Sequence, residues 1–196
     1  MQQHIFSEDV DYVEAQTRLT LSRMKQNKLR FCTTPETLAA IRRYHLKEVR
    51  KALCHGVRTG EELVLFENLF KTGSWIGTEI TKELCGQKIL HRDFTQIDQA
   101  WIGSFDLIYS NALDHAQDPW KTLKAWVACL ARDGKLYIEW NAWHNKLGHG
   151  SNKADCFAAD DREYLLLLSE VAHVENVLEV RDLHGKRLLR KIFVVR

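Results

Sequence analysis

Ala52-Leu53-Cys54-His55-Gly56-Val57-Arg58-Thr59-Gly60-Glu61-Glu62-Leu63 is the stretch whose reading decides the fold. It reads as an apolar strand, a tight turn through Gly56 and Gly60, and the opening of a helix. That helix runs on to Phe70, with Leu63, Phe66, Leu69 and Phe70 on one face at helical spacing. Such a strand–turn–helix suits a nucleotide-like ligand. Glycine lets the backbone approach closely, and free N–H groups with the helix dipole favour a negative group. Only one glycine of a G-x-G pair is present, because Arg58 stands where the second would be.

Downstream, strands and helices alternate. Ser74–Ile80 reads as a second strand ending near the carboxylate of Glu79, and Thr81–Cys85 as a brief helical turn. Lys88–Phe94 forms a third strand, again ending on an acidic residue, Asp93. Phe105–Asn111 is a fourth, and Asp118-Pro119 opens a helix carrying Trp120, Leu123, Trp126, Val127 and Leu130. After an Arg132-Asp133-Gly134 turn, Lys135–Trp140 is a fifth strand. Residues 141–159 form a long loop, and Asp160-Asp161 starts a helix through Tyr164 and Val171. Two β-rich runs, Val174–Leu183 and Arg187–Arg196, close the chain, and a tight turn around His184-Gly185 would make them an antiparallel hairpin.

Strands alternating with helices predict an α/β fold, with a mostly parallel sheet covered on both faces. The basic residues of the closing hairpin read as solvated protection of a sheet edge. Residues 1–48 read as an N-terminal helical extension: a helix over about 8–27 with a loose apolar stripe, then a second helix capped by Thr34-Pro35. The first helix is expected to pack over the domain as a flap or to extend from it. Residues 49–196 make up the main domain.

Composition sets limits. With 45% apolar and 28% charged residues the chain reads as an ordinary soluble protein. A formal net charge of +2 gives no general case for nucleic acid. No apolar run approaches the roughly 20 residues that span a bilayer. The first residues lack the charged and apolar regions of a signal peptide, and the five scattered cysteines form no C-x-x-C pair. A reducing, cytoplasmic setting is expected, without a metal site.

The order of these motifs resembles the class I S-adenosylmethionine-dependent methyltransferases, over residues 49–196. Ala52–Gly60 sits where that family has its apolar strand and glycine loop, and Gly77-Thr78-Glu79-Ile80-Thr81 where an acidic strand end holds the ribose. Arg92-Asp93-Phe94 is similar to the place where an aspartate meets the adenine amino group. Phe105–His115, containing Ser110-Asn111-Ala112-Leu113-Asp114-His115, is the most specific match, and Asp118-Pro119 and Leu130–Leu136 continue it. The resemblance implies a Rossmann-like seven-stranded sheet with helices on both faces and a C-terminal antiparallel hairpin. It implies S-adenosylmethionine as cofactor, held by Gly56, Arg58, Gly60, Glu79, Asp93, Phe94, Asn111, Asp114 and His115. Two positions depart from the family pattern: Cys54 stands where an acidic residue is common, and Arg58 replaces a glycine. Arg58 would pair with the cofactor's carboxylate or tie down the loop through Glu62.

Methyl transfer from a sulfonium is a direct displacement, so alignment and desolvation are the main requirements and no nucleophile triad is needed. His115 is a candidate base, with packing beneath the cofactor as the plainer alternative. Trp140, Asn141, Trp143, His144 and His149 lead into the long loop, a candidate lid or substrate wall. The histidines are spaced too widely to argue for a metal. The expected activity is methyl transfer to a small or medium-sized acceptor. The alternative is a noncatalytic protein that keeps the fold to bind a partner, and a nicotinamide oxidoreductase fits the closing hairpin and the 105–140 block less well.

Overall fold

The computed structural model describes residues 1–3, 9–26, 33–145, 155–180 and 190–196. In chain order they form β1 (Gln2–Gln3), α1 (Asp9–Lys25), α2 (Pro35–Tyr44), β2 (Lys51–His55), α3 (Glu61–Phe70), β3 (Ser74–Glu79) and β4 (Ile89–His91). These are followed by β5 (Phe105–Ser110), α4 (Pro119–Ala128), β6 (Leu130–Asn141), β7 (Phe157–Ala158), α5 (Asp161–Val171), β8 (Val174–Val180) and β9 (Arg190–Val195).

Seven strands pair in the order β4-β3-β2-β5-β6-β9-β8. β4, β3, β2, β5 and β6 run parallel, while β9 is antiparallel to both β6 and β8. The chain moves outward from β2 to β4, then returns to add β5 on the other side of β2. The strand order therefore reverses between β2 and β5, and open α/β sheets bind ligands outside the carboxyl ends of the strands at such a reversal.

Strand β2 shows how the sequence builds two cores. Its side chains alternate between faces. Leu53 joins Phe105, Ile108, Trp126, Ile138 and Tyr164 beneath α4 and α5. Ala52 and Cys54 join Ile41, Leu63, Phe66, Trp75 and Leu107 beneath α2 and α3. Burying both faces makes β2 a central strand, as its continuous apolar run predicts.

The helix starts follow local rules. The Thr34 hydroxyl accepts from Thr37 N–H and Asp118 Oδ1 from Lys121 N–H, each ahead of a proline at the first helical position. Asp160 and Glu163 form a reciprocal capping box for α5.

Two expectations need correction. The Arg132-Asp133-Gly134 turn does not precede a strand but lies inside β6. Leu130 already pairs with Phe105 and Lys135 with Leu107, so the extra residues bulge outward. The loop over 141–159 carries regular structure at its ends: a 3-10 helix at Ala142–Asn145, and β7 paired with β1 at the N-terminus. The closing strands form an antiparallel pair, with β9 inserted between β6 and β8. The turn near His184-Gly185, together with Cys32 and His149, lies outside the described residues.

Candidate functional site

The glycine loop leaves β2 in a conformation only partly suited to its residues. Gly56 has φ +72°, and a Cβ there would lie 2.7 Å from Ala112 Cβ and 3.7 Å from the Phe94 ring. Glycine is needed both for the left-handed backbone and for this close packing. Gly56 and Val57 donate their N–H groups to Thr78 O at 3.0 and 3.1 Å, stitching the loop to β3. Arg58 is left-handed at φ +47° despite its side chain. Gly60, φ +79°, caps α3 without a side chain.

At the end of β3 the Glu79 carboxylate accepts Arg58 N–H on Oε2 at 2.9 Å and Thr81 N–H on Oε1 at 2.8 Å. It is only 4% exposed. Both oxygens are engaged, yet each keeps a second lone pair for a hydroxyl donor. Asp93, beyond β4, anchors Oδ1 to the N–H and hydroxyl of Thr95, leaving Oδ2 as an acceptor. The Phe94 ring packs edge-on to Trp126 and tilts toward His55, while its carbonyl receives the Trp126 indole N–H.

Asn111 follows β5 and is held by a buried relay. Its amide donates to Thr33 Oγ1 at 3.1 Å, Thr33 to the Tyr109 hydroxyl at 2.8 Å, and Tyr109 to Glu139 Oε2 at 2.7 Å. Arg190 on β9 closes the relay by pairing with Glu139. One N–H of the Asn111 amide is thus committed within the protein, and its carbonyl oxygen is left as an acceptor for a ligand.

Asp114 and His115 sit on a one-turn 3-10 helix, Leu113–His115. Asp114 is buried, and Cys156 N–H donates to its backbone carbonyl at 2.8 Å. Burial pushes the Asp114 carboxyl upward, but His144, His115 and Arg58 outweigh it and hold it below the ordinary range. Across from it, His115 Nδ1 lies 3.6 Å from Asp155 Oδ1 and His144 Nε2 lies 3.7 Å from Asp114 Oδ2.

Helix α1 reaches this edge. Tyr12 is 3% exposed. Burial first, then Asp93, Cys156, Asp114 and Glu79, hold its phenol protonated well above the ordinary range. The tyrosine therefore lies within electrostatic reach of carboxylates from three separate strand ends.

The two departures have local explanations. Cys54 lies in the core behind the loop, where burial raises its thiol well above the usual range and keeps it neutral. A carboxylate there would be buried against Leu63 and Phe66, which cysteine avoids as a small hydrophobe. Arg58 acts on Glu62 only through space, with no ion pair between them among the described residues, so the expected tie through Glu62 does not form. Glu62 is itself buried, which lifts its carboxyl to about 8.

The fold thus gathers Gly56, Arg58, Gly60, Glu79, Phe94 and Asn111 around the β2–β5 crevice, with Asp93 on one flank and Asp114 and His115 on the other. Sequence reasoning passed over Tyr12, Thr33 and Asp155. Tyr12 and Thr33 lie in the N-terminal segment, and Asp155 in the long loop, so no local periodicity marks them. The i, i+4, i+8 series Tyr12, Gln16, Thr20, buried together on α1, was the available signal, and two of its three residues are polar.

No protein-family model matches the sequence, and the search of curated proteins finds no relative. Solved structures do match. The fold is similar to a 1,6-didemethyltoxoflavin-N1-methyltransferase from Burkholderia thailandensis, solved with 1,6-didemethyltoxoflavin and S-adenosylhomocysteine. That match has a TM-score of 0.74 at 15% identity and covers 100% of this chain and 92% of the other. It is also similar to a chain in the complex of a methyltransferase activator and a methyltransferase from Haloferax volcanii. There the TM-score is 0.69 at 16% identity, over 97% and 98% of the two chains. A SAM-dependent methyltransferase from Aquifex aeolicus matches with TM-score 0.63 at 17% identity, over 89% and 98%. With the strand order and the antiparallel β9, these likenesses identify the class I methyltransferase fold.

Proposed function

We propose that this protein is an S-adenosylmethionine-dependent methyltransferase acting on a small or medium-sized acceptor. The observation that carries the reading is the Glu79 carboxylate, fixed by two backbone N–H groups at the strand-order reversal. A fixed carboxylate with lone pairs to spare is what two vicinal ribose hydroxyls require.

The residues present fit the cofactor. Glu79 would accept from the ribose, Asp93 Oδ2 from the adenine amino group, and Phe94 would flank the ring. Arg58 would meet the methionine carboxylate, with the Asn111 carbonyl available to its ammonium. When bound, S-adenosylmethionine supplies a methyl group already activated on a sulfonium. The chain's part is to orient the acceptor in line and exclude water, and burial beneath α1 serves both. His115, on the turn after Asn111, is the group placed to take a proton from a hydroxyl acceptor.

A second reading, a noncatalytic protein that keeps the fold to bind a partner, is favoured by Tyr12 buried among Asp93, Asp114 and Glu79. Calorimetric titration with S-adenosylhomocysteine decides between them. Micromolar binding that is lost in Glu79→Ala supports the methyltransferase, and the absence of binding at millimolar ligand supports the scaffold.

A further inference from the structure

We propose that Asp114, His115 and Asp155 form a binding site for one divalent transition-metal ion of the zinc type. The sequence spreads its histidines too widely to suggest this, but the fold brings the turn after β5 against the residues preceding β7. One donor atom from each of the three residues lies within 4.8 Å of the others.

One separation within the trio is that of ligands rather than of hydrogen-bond partners. His115 Nδ1 and Asp155 Oδ1 are 3.6 Å apart. That exceeds a hydrogen bond and lies close to the edge, roughly 3.4 Å, of a tetrahedron with metal–ligand bonds of about 2.1 Å.

Two of the three residues present a buried polar atom with no hydrogen-bond partner. Asp114 is 8% exposed, and its Oδ1 is buried without a hydrogen bond. His115 Nδ1 is likewise buried and without one. Leaving a carboxylate oxygen and an imidazole nitrogen dry and unpaired is unfavourable, and a cation removes both penalties together.

His144 Nε2 lies 3.7 Å from Asp114 Oδ2 but only 3.1 Å from the Asn141 amide nitrogen, so it is not counted among the ligands. Mixed imidazole and carboxylate donors select transition metals over magnesium or calcium, whose preferred ligands are all oxygen. Three protein ligands leave one position for water or an acceptor oxygen, and while His115 holds the metal it does not serve as the base named above. The use of that position in methyl transfer rests on the function proposed above; metal binding itself does not.

The test uses tag-free full-length protein stripped with chelator and titrated calorimetrically with Zn2+ and Mg2+, with no adenosyl compound present. One equivalent of Zn2+ is expected, bound at least about tenfold more weakly by Asp155→Asn and by His115→Gln. Co2+ added to the unaltered protein is expected to give visible d–d absorption of a nitrogen–oxygen site, displaced by Zn2+. Failure to bind stoichiometric Zn2+, or undiminished affinity in a folded Asp155→Asn protein, overturns the proposal. Should the variants misfold, absence of the Co2+ bands in the unaltered protein overturns it as well. A protein that binds Zn2+ but not S-adenosylhomocysteine keeps the metal site and loses the methyltransferase reading.

Discussion

Glu79 Oε2 accepts the backbone N–H of Arg58 at 2.9 Å, and this bond ties the glycine loop to the end of the neighbouring strand. One carboxylate is both a structural clamp and the candidate ribose acceptor. Glu79→Ala should therefore cost two things: about 1–3 kcal/mol of stability, from two buried N–H groups without acceptors, and at least tenfold in S-adenosylhomocysteine affinity. Denaturant unfolding and calorimetry read them separately. Unchanged affinity in a folded variant would remove Glu79 from the ligand site.

Arg58 occupies left-handed backbone that favours glycine. Arg58→Gly relieves roughly 1–2 kcal/mol of strain and forfeits roughly 0.5–1 kcal/mol through added chain entropy. Stability should stay within about 1 kcal/mol of the parent. If the guanidinium meets the methionine carboxylate, affinity for S-adenosylhomocysteine drops about tenfold, while affinity for 5′-methylthioadenosine, which lacks that carboxylate, stays the same. Equal loss for both ligands would locate the effect in the loop's shape instead.

Tyr12 on α1 is buried within electrostatic reach of Asp93, Asp114 and Glu79, and we expect ligand entry to shift α1. Tyr12→Ala should raise the association rate of S-adenosylhomocysteine several-fold in stopped-flow measurements and lower stability by a few kcal/mol. A rate identical to the parent's would mean that α1 does not stand in the path.

Stability should peak in mildly acidic solution. Glu62 keeps its proton to about pH 8 when folded but loses it at the ordinary 4.5 when unfolded, so stability falls as pH rises between those values. Burial lowers His45 to about 4 and His55 to about 3, from an ordinary 6.5. The unfolded chain takes up these protons first, so stability also falls as pH drops below 6.5. In urea titrations across this range, Glu62→Gln should flatten the alkaline side and leave the acid side intact. An alkaline slope that persists in the variant would assign it to another group.

Much of the fold was legible because its signals are local. The Leu63, Phe66, Phe70 spacing marked α3, the Thr34, Asp118 and Asp160 caps marked three helix starts, and Gly56 and Gly60 marked the turn between β2 and α3. Glu79 was legible for the same reason, as an acidic residue at a strand end about twenty residues beyond a glycine turn. The Asn111 relay was not. It joins Thr33, Tyr109, Glu139 and Arg190, which no spacing rule links.

By itself the sequence determined the alternation of strands and helices, their caps, and the placing of Gly56, Glu79 and Asn111 at the carboxyl ends of strands. Propensity, capping and apolar periodicity act over a few residues and can be read along the chain. Tertiary structure alone decided that β9 inserts between β6 and β8, that Tyr12 is buried within electrostatic reach of Asp93, Asp114 and Glu79, and that Asp155 meets His115. Those arrangements depend on where distant segments return to the sheet, and burial of two continuous cores sets that, not any local pattern.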